Sequence, residues 1–213
     1  MFRELSADEI ERIALASREI HAPKGTILFQ KGDPSNGFYL VVVGQLKLSF
    51  LSHTGAEKIV EIIGAGQTFG EAVMFLEKPY PVYAQALTDS QLLLVAKSAV
   101  FEEIAQNRSF ALKMLAGLSI RLHGLVHDVA AYSLDTAIQR LIGFLLSQDL
   151  QENEQRQPTV RLPAGKGVIA SRLNISAETF SRILHDLTES GLIEVQGRDI
   201  ILKNVETLRK IGL

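Results

Sequence analysis

The sequence predicts an α+β chain in three parts: a β-rich first half, a long helix, and a closing unit of short helices with a hairpin. Three observations lead there. From Glu19 to Ala96, short apolar-rich runs alternate with glycine-bearing turns, the cadence of a small antiparallel sandwich or barrel. From Ser98 past Tyr132 the apolar positions fall at helical spacing. From Lys166 to Ile201, two short helical patterns precede two strands that flank Gln196-Gly197-Arg198-Asp199, the pattern of a winged helix-turn-helix.

Taken in order, Ala7 to Ser17 reads as a short helix, and Thr26 to Gln30, Phe38 to Val43, Gln45 to Ser52, Lys58 to Ile63, Val82 to Leu87 and Gln91 to Val95 read as strands. Turns are expected at Lys31-Gly32-Asp33-Pro34, Val43-Gly44, His53-Thr54-Gly55 and Gly64-Ala65-Gly66. In the helical stretch, Ala111, Leu115, Leu118, Leu122, Leu125, Val129 and Tyr132 are spaced 4, 3, 4, 3, 4 and 3, a heptad seam. A helix packed only on its own domain gives similar letters. A seam this regular is better explained by a second copy, with Leu115, Leu118, Leu122, Leu125 and Val129 as dimer contacts. A further helix, Asp135 to Asp149, leads through the polar Gln151 to Gln157 to a strand at Thr159 to Leu162.

The closing unit carries the chemistry. Gly167 to Leu173 forms the first short helix, Asn174 suits the left-handed turn after it, and Ser176 offers an N-cap hydroxyl. On a helical wheel Phe180, Ile183, Leu184 and Leu187 share one arc, while Glu178, Ser181, Arg182 and His185 share the opposite one. Arg is the commonest bidentate partner of guanine, and Glu accepts from cytosine N4, so that polar arc has the chemistry of a base-reading face. Lys166, Arg172 and Arg198 flank it as further cations. A bare helix-turn-helix is a weak signal, and the mixed polar arc is what separates this one from an ordinary solvated helix.

Composition sets limits. The chain has 213 residues and 46% hydrophobic content, enough for a buried core in one large or two small domains. Its net charge is −2, and from Asp135 to Leu213 ten Lys/Arg face ten Asp/Glu, so DNA affinity has to come from local placement, with Asp149, Glu152 and Glu154 in a loop away from the reading head. Absence of cysteine excludes disulfides, thiolate zinc sites and thiolate-bound iron-sulfur clusters. The N-terminus lacks a charged leader with an apolar core, and no segment reaches about 18 uninterrupted apolar residues, so a cytoplasmic protein with no membrane partner is expected. His21, His53, His123, His127 and His185 are the imidazole candidates. None stands out as a metal ligand; His123 and His127, four apart, read better as a solvated helix face.

The run Ser176-Ala177-Glu178-Thr179-Phe180-Ser181-Arg182-Ile183-Leu184, followed by Leu192-Ile193 and Gly197, resembles the recognition helix and wing of the Crp/Fnr family of transcription regulators. The resemblance extends over almost the whole chain. Its Glu-x-x-Ser-Arg pattern falls on Glu178, Ser181 and Arg182, and Ala177 stands where cyclic-AMP-responsive members carry arginine, which marks the Fnr-like branch. The resemblance implies a double-stranded β-roll of the cyclic-nucleotide-binding type at 1–97, helices including the dimerisation helix at 98–133, and a winged helix-turn-helix at 134–213. It implies a homodimer that binds inverted TTGA-type repeats in double-stranded DNA and works with RNA polymerase, as an activator or a repressor according to where the site lies relative to the promoter. Ser176, His185, Lys166 and Arg198 join the reading triad as expected DNA contacts.

The same resemblance places an effector pocket at Phe69, Gly70, Glu71, Val73, Met74, Phe75 and Leu76, with Gly66 to Glu71 in the position of the phosphate cassette. Where nucleotide binders carry an Arg-Ser pair, this chain has Tyr80-Pro81-Val82-Tyr83, which leaves a phosphate without its cation and argues against cyclic AMP. Ala72 to Pro79, Leu118 to His123 and Phe180 to His185 look like the nitric-oxide-responsive regulators of denitrification, which makes haem the candidate cofactor. The implied mechanism is allosteric, with a hinge near Ala131 to Leu134 that re-aims the reading heads. Two other classes are a cupin-like enzyme in the roll and a ligand-binding module without DNA binding. The first lacks a His/His/Glu cluster or nucleophile-base pair, and the intact triad argues against the second.

Overall fold

The computed structural model describes residues 12–212 except 54, 149 and 153–156. Residues 12–15 are helical, but the helix expected to run to Ser17 stops at a turn on Ala16, and Ser17 already belongs to a strand; the part of that helix before residue 12, and the acidic residues Asp149 and Glu154, lie outside the described residues. The chain divides into two compact units, Met1–Leu125 and Val126–Leu213.

In the first unit, alternating inward and outward side chains build two four-stranded antiparallel sheets. One holds β1 (Ser17–Ala22), β3 (Gly37–Val43), β6 (Thr68–Phe69) and β8 (Ser90–Ala96), in the order β1-β8-β3-β6. The other holds β2 (Ile27–Phe29), β4 (Gln45–Leu51), β5 (Glu57–Gly64) and β7 (Tyr83–Ala86), in the order β2-β7-β4-β5. Their inner faces share a core of Phe29, Tyr39, Val41, Leu46, Ile63, Phe69, Tyr80 and Leu92. Rings stack within it: Phe29 on Tyr80 with centroids 3.6 Å apart, and Tyr39 on Phe69 at 4.9 Å. Gly44 turns β3 into β4 at φ 94°, where an added Cβ would meet Asp89 O at 2.6 Å, so only glycine fits.

Three helices follow from or cover this roll: α1 (Glu71–Leu76), α2 (Lys97–Gln106) and α3 (Arg108–Leu134). The helical run expected from Ser98 past Tyr132 is broken at Asn107, which is extended and whose Oδ1 accepts from Phe110 N at 3.2 Å. That side chain ends one helix and caps the next. Beneath them Phe38, Met74, Val95, Val100, Phe110 and Met114 form a second apolar cluster.

The second unit contains the last turns of α3, then α4 (Ala137–Ser147), which starts from a capping box of Thr136 and Gln139. Next come β9 (Gln151–Glu152), β10 (Pro158–Arg161), α5 (Lys166–Arg172), α6 (Ala177–Glu189), β11 (Ile193–Gln196), β12 (Asp199–Leu202) and α7 (Val205–Gly212). The sheet runs β11-β12-β10-β9, all antiparallel. Leu141, Ile142, Leu145, Val160, Ile169, Phe180 and Ile200 are fully enclosed and form its core.

Candidate nucleic-acid interface

The reading helix is positioned by its own start. Asn174 sits in the left-handed region at φ 57°, and Ser176 Oγ then accepts from Thr179 N at 3.0 Å, satisfying one of the orphan amides of α6. From that start the 3.6-residue period buries Phe180, Ile183, Leu184 and Leu187 and turns Glu178, Ser181, Arg182 and His185 to the outside. The arc expected from the sequence is therefore one exposed face. His185 Nε2 lies 3.4 Å from Glu189 Oε1, an i,i+4 pair at the far end of that face.

The wing is a two-residue hairpin. Gln196 pairs with Asp199, and Gly197 takes the first central position at φ 63°. Leu162 N donates to Arg198 O at 2.8 Å, which ties the wing backbone to the end of β10 and leaves the Arg198 side chain exposed. Two neighbouring cations, Lys203 and Arg161, are engaged. Lys203 Nζ holds Glu194 at 2.6 Å, and that hydrogen bond, helped by Gln196, keeps the Glu194 carboxyl below the usual carboxylate range. Arg161 Nε lies 3.9 Å from Asp199. Lys166, at the exposed first position of α5, and Arg182 and Arg198 have no carboxylate partner among the described residues.

Arg172 corrects the grouping made from the sequence. Its guanidinium does not join the exposed cations: it pairs with Asp128 at 2.5 Å and hydrogen-bonds the Tyr132 hydroxyl, which itself donates to Arg172 O at 2.6 Å. Tyr132 is corrected with it. Although in heptad register, it turns toward α5, so the open apolar seam ends at Val129.

Along α3, Phe110 and Met114 are buried in the roll, whereas Leu115 (60% exposed), Leu122 (64%) and Val129 (64%) are open, Leu125 is exposed and Leu118 half-buried. Leu112, Ile120 and Val126 widen the open surface beyond the seam. By length and composition this helix is apolar enough to cross a membrane. Its central charges are nonetheless tied to folded neighbours: Arg121 pairs with Glu61 of β5 and donates to Thr68 O at 2.8 Å, and Asp128 holds Arg172.

The residues expected to line an effector pocket do not converge on one opening. Phe69 and Val73 belong to the core of the roll, Met74 is wholly buried with Phe110 and Met114, Phe75 packs edge-on against Phe101 at 5.8 Å, and Leu76 is 63% exposed. The reason is helical: α1 spans less than two turns, so its successive side chains point to different sides. Gly70 opens that helix at φ 94°, and Glu71 is buried. Tyr80 fills the place expected to lack a phosphate cation, with its hydroxyl 3.5 Å from where a Gly70 Cβ would stand. Sequence reasoning missed an open cavity of about 420 Å³ lined by Arg18, Glu19, Ile20, Thr26, Ile27, Leu28 and Tyr39. Three strands contribute to it, so no local motif announces it. Among the described residues no group of three or more His, Cys, Asp or Glu is placed to hold a metal ion.

A two-sheet roll followed by a winged helix-turn-helix with an exposed polar reading helix defines a sensor joined to a DNA-binding unit. Comparison with known proteins agrees: residues 19–107 match the cyclic nucleotide-binding domain, and residues 139–211 match the Crp-like helix-turn-helix domain. The crystal structure of DNR from Pseudomonas aeruginosa is 34% identical, covers 99% of this chain and 92% of its own, and superposes with a TM-score of 0.52. FixK2 from Bradyrhizobium japonicum shares the fold with a TM-score of 0.80 at 22% identity, over 92% of this chain and 98% of its own. The anaerobic regulatory protein of Pasteurella multocida is 26% identical over 98% of this chain and 76% of its own length. This chain belongs to the Crp/Fnr family of DNA-binding transcription regulators, which are not enzymes.

Proposed function

We propose that this protein is a cytoplasmic homodimeric regulator that reads inverted repeats of TTGA-like half-sites, with the sensor at 1–97, the dimerisation helices at 98–133 and the reading head at 134–213. One observation carries the reading: Glu178, Ser181 and Arg182 share the exposed arc of a capped helix, and the exposed cations Lys166 and Arg198 flank it in sequence. Arg182 contacts the guanine of the half-site, Glu178 the opposing cytosine, and Ser181 lies beside them; Lys166, Ser176, His185 and Arg198 serve the backbone. The open stripe from Leu115 to Val129 joins two copies, and a two-fold dimer places two heads on a palindrome. RNA polymerase is the partner at the promoter. A gel shift tests the reading: an inverted TTGA repeat with half-sites about one helical turn apart is retained at concentrations that leave a scrambled duplex free. Equal retention of both contradicts it.

The signal is a small effector acting on the roll. Resemblance to nitric-oxide-responsive regulators makes haem the candidate cofactor. The present packing does not accommodate a porphyrin at Val73 to Leu76, because Met74 is wholly enclosed beside Phe110 and Met114 and Leu76 faces outward. Haem there requires that cluster to open. Titration with haem is the check: one equivalent per chain with a nitric-oxide-sensitive Soret band and altered DNA affinity supports it, and substoichiometric uptake sets it aside.

A further inference from the structure

The chain between α3 and α4 is short, and three side chains bridge it. Asp128 and Tyr132, one turn apart on α3, both engage Arg172 at the end of α5, the helix immediately before the reading helix. Arg172 Nη2 is 2.5 Å from Asp128 Oδ2, a second guanidinium nitrogen donates to the Tyr132 hydroxyl, and that hydroxyl donates to Arg172 O at 2.6 Å. The contact is reciprocal, charge-assisted and partly buried, with side-chain exposures of 20% for Arg172 and 33% for Asp128. The end of α3 also needs cations, for its last turn has no basic residue of its own and its terminal carbonyls carry partial negative charge. Arg172 and Arg140 supply them from outside: Arg140 Nη1 donates to Tyr132 O at 3.3 Å.

We infer that Asp128, Tyr132 and Arg172 form a latch across the hinge, fixing where the reading helix stands relative to the end of the dimerisation helix. The inference rests on the proposed DNA-reading role but concerns a different quantity. Base contacts decide which half-site is read; the latch decides how far apart two half-sites have to be. Asp128 and Tyr132 are therefore positioning residues. With the latch closed, each head has one orientation and the dimer accepts one spacing. With it open, the head pivots at the hinge near Ala131 to Leu134, where α3 ends, and several spacings become equivalent.

The test uses the full-length dimer, Asp128→Asn and Tyr132→Phe, with Asp128→Glu as the conservative rescue. Binding is measured on a site selected from random DNA by the wild type, on the same repeat lengthened or shortened by one base pair, and on an isolated half-site. The latch predicts that both variants lose about tenfold on the optimal repeat, keep half-site affinity and base preference, and discriminate less between spacings, while Asp128→Glu recovers most of the loss. Parallel loss on half-site and repeat with spacing preference intact overturns it, as does no change at all. Amide exchange without DNA gives an independent reading. Peptides covering 128–136 and 166–173 should exchange faster in Asp128→Asn, with the β-roll unaffected, and unaltered exchange overturns the latch. If the wild type selects no DNA sequence, the base-reading proposal fails and exchange alone decides the latch.

Discussion

Arg182 and Lys166 are both exposed cations, and they are expected to fail in different ways. Arg182→Ala should cost roughly 1 to 3 kcal/mol on the preferred site and relax the preference at one base pair, because a bidentate guanine contact is lost. Lys166→Ala should weaken all sequences alike, with a shallower salt dependence. Binding isotherms on matched and single-mismatch duplexes check this, and equal loss on random DNA for Arg182→Ala contradicts its role. A second residue-scale expectation concerns Tyr39. Burial, then the neighbouring Tyr80, push its phenol up to about 12 against the opposing pull of Arg18. The unfolded phenol titrates near 10, so the folded chain keeps a proton that the unfolded chain gives up. Stability from this group is complete below about pH 10 and declines as pH rises from there toward about 12. Thermal unfolding across that range should show a slope that Tyr39→Phe reduces; an identical slope in the variant contradicts it. Reading-face residues were legible in the sequence because a helical period sorts Glu178, Ser181 and Arg182 from Phe180 and Leu184 within one short segment. Arg172 was not, since its partners Asp128 and Tyr132 lie 44 and 40 positions away.

At the scale of elements, α3 gives the sharpest expectation. Leu122→Glu with Leu125→Glu places four charges in the seam of a dimer, and sedimentation should then show a monomer while circular dichroism reports an intact fold. A persistent dimer would move the interface elsewhere. The turn before α6 supplies another: Asn174→Ala should destabilise the second unit by about 1 kcal/mol in chemical denaturation, because alanine resists the left-handed conformation, whereas Asn174→Gly should be tolerated. Equal stability of the alanine variant contradicts that account. Strands with alternating apolar letters, such as Gln45–Leu51, were readable in advance. β1 escaped because it is an edge strand whose Arg18, Glu19 and His21 face solvent, so Ser17–Ala22 lacks the apolar alternation that announces a strand. β6 and β9 have two residues each, too few for any period, and the eight residues of α7 lie beyond the wing where no motif pointed.

For the whole molecule, architecture was far more legible than signal. Glycine cadence, heptad spacing and the helix-hairpin pattern are each written in consecutive residues, and each became an element or a sheet. The open cavity of the roll is instead lined from separate strands, and the residues named for an effector site from one local segment, Phe69 to Leu76, disperse between two packed clusters and the surface. Sequence-specific recognition by a symmetric pair of α6 helices is the claim on which the rest depends. Selection of bound duplexes from a random library tests it most directly. The full-length protein should enrich an inverted repeat of TTGA-like half-sites about one helical turn apart, and Arg182→Ala should enrich the same spacing with the guanine position relaxed. Enrichment of unpaired or non-palindromic sequences, or no enrichment at all, contradicts the account.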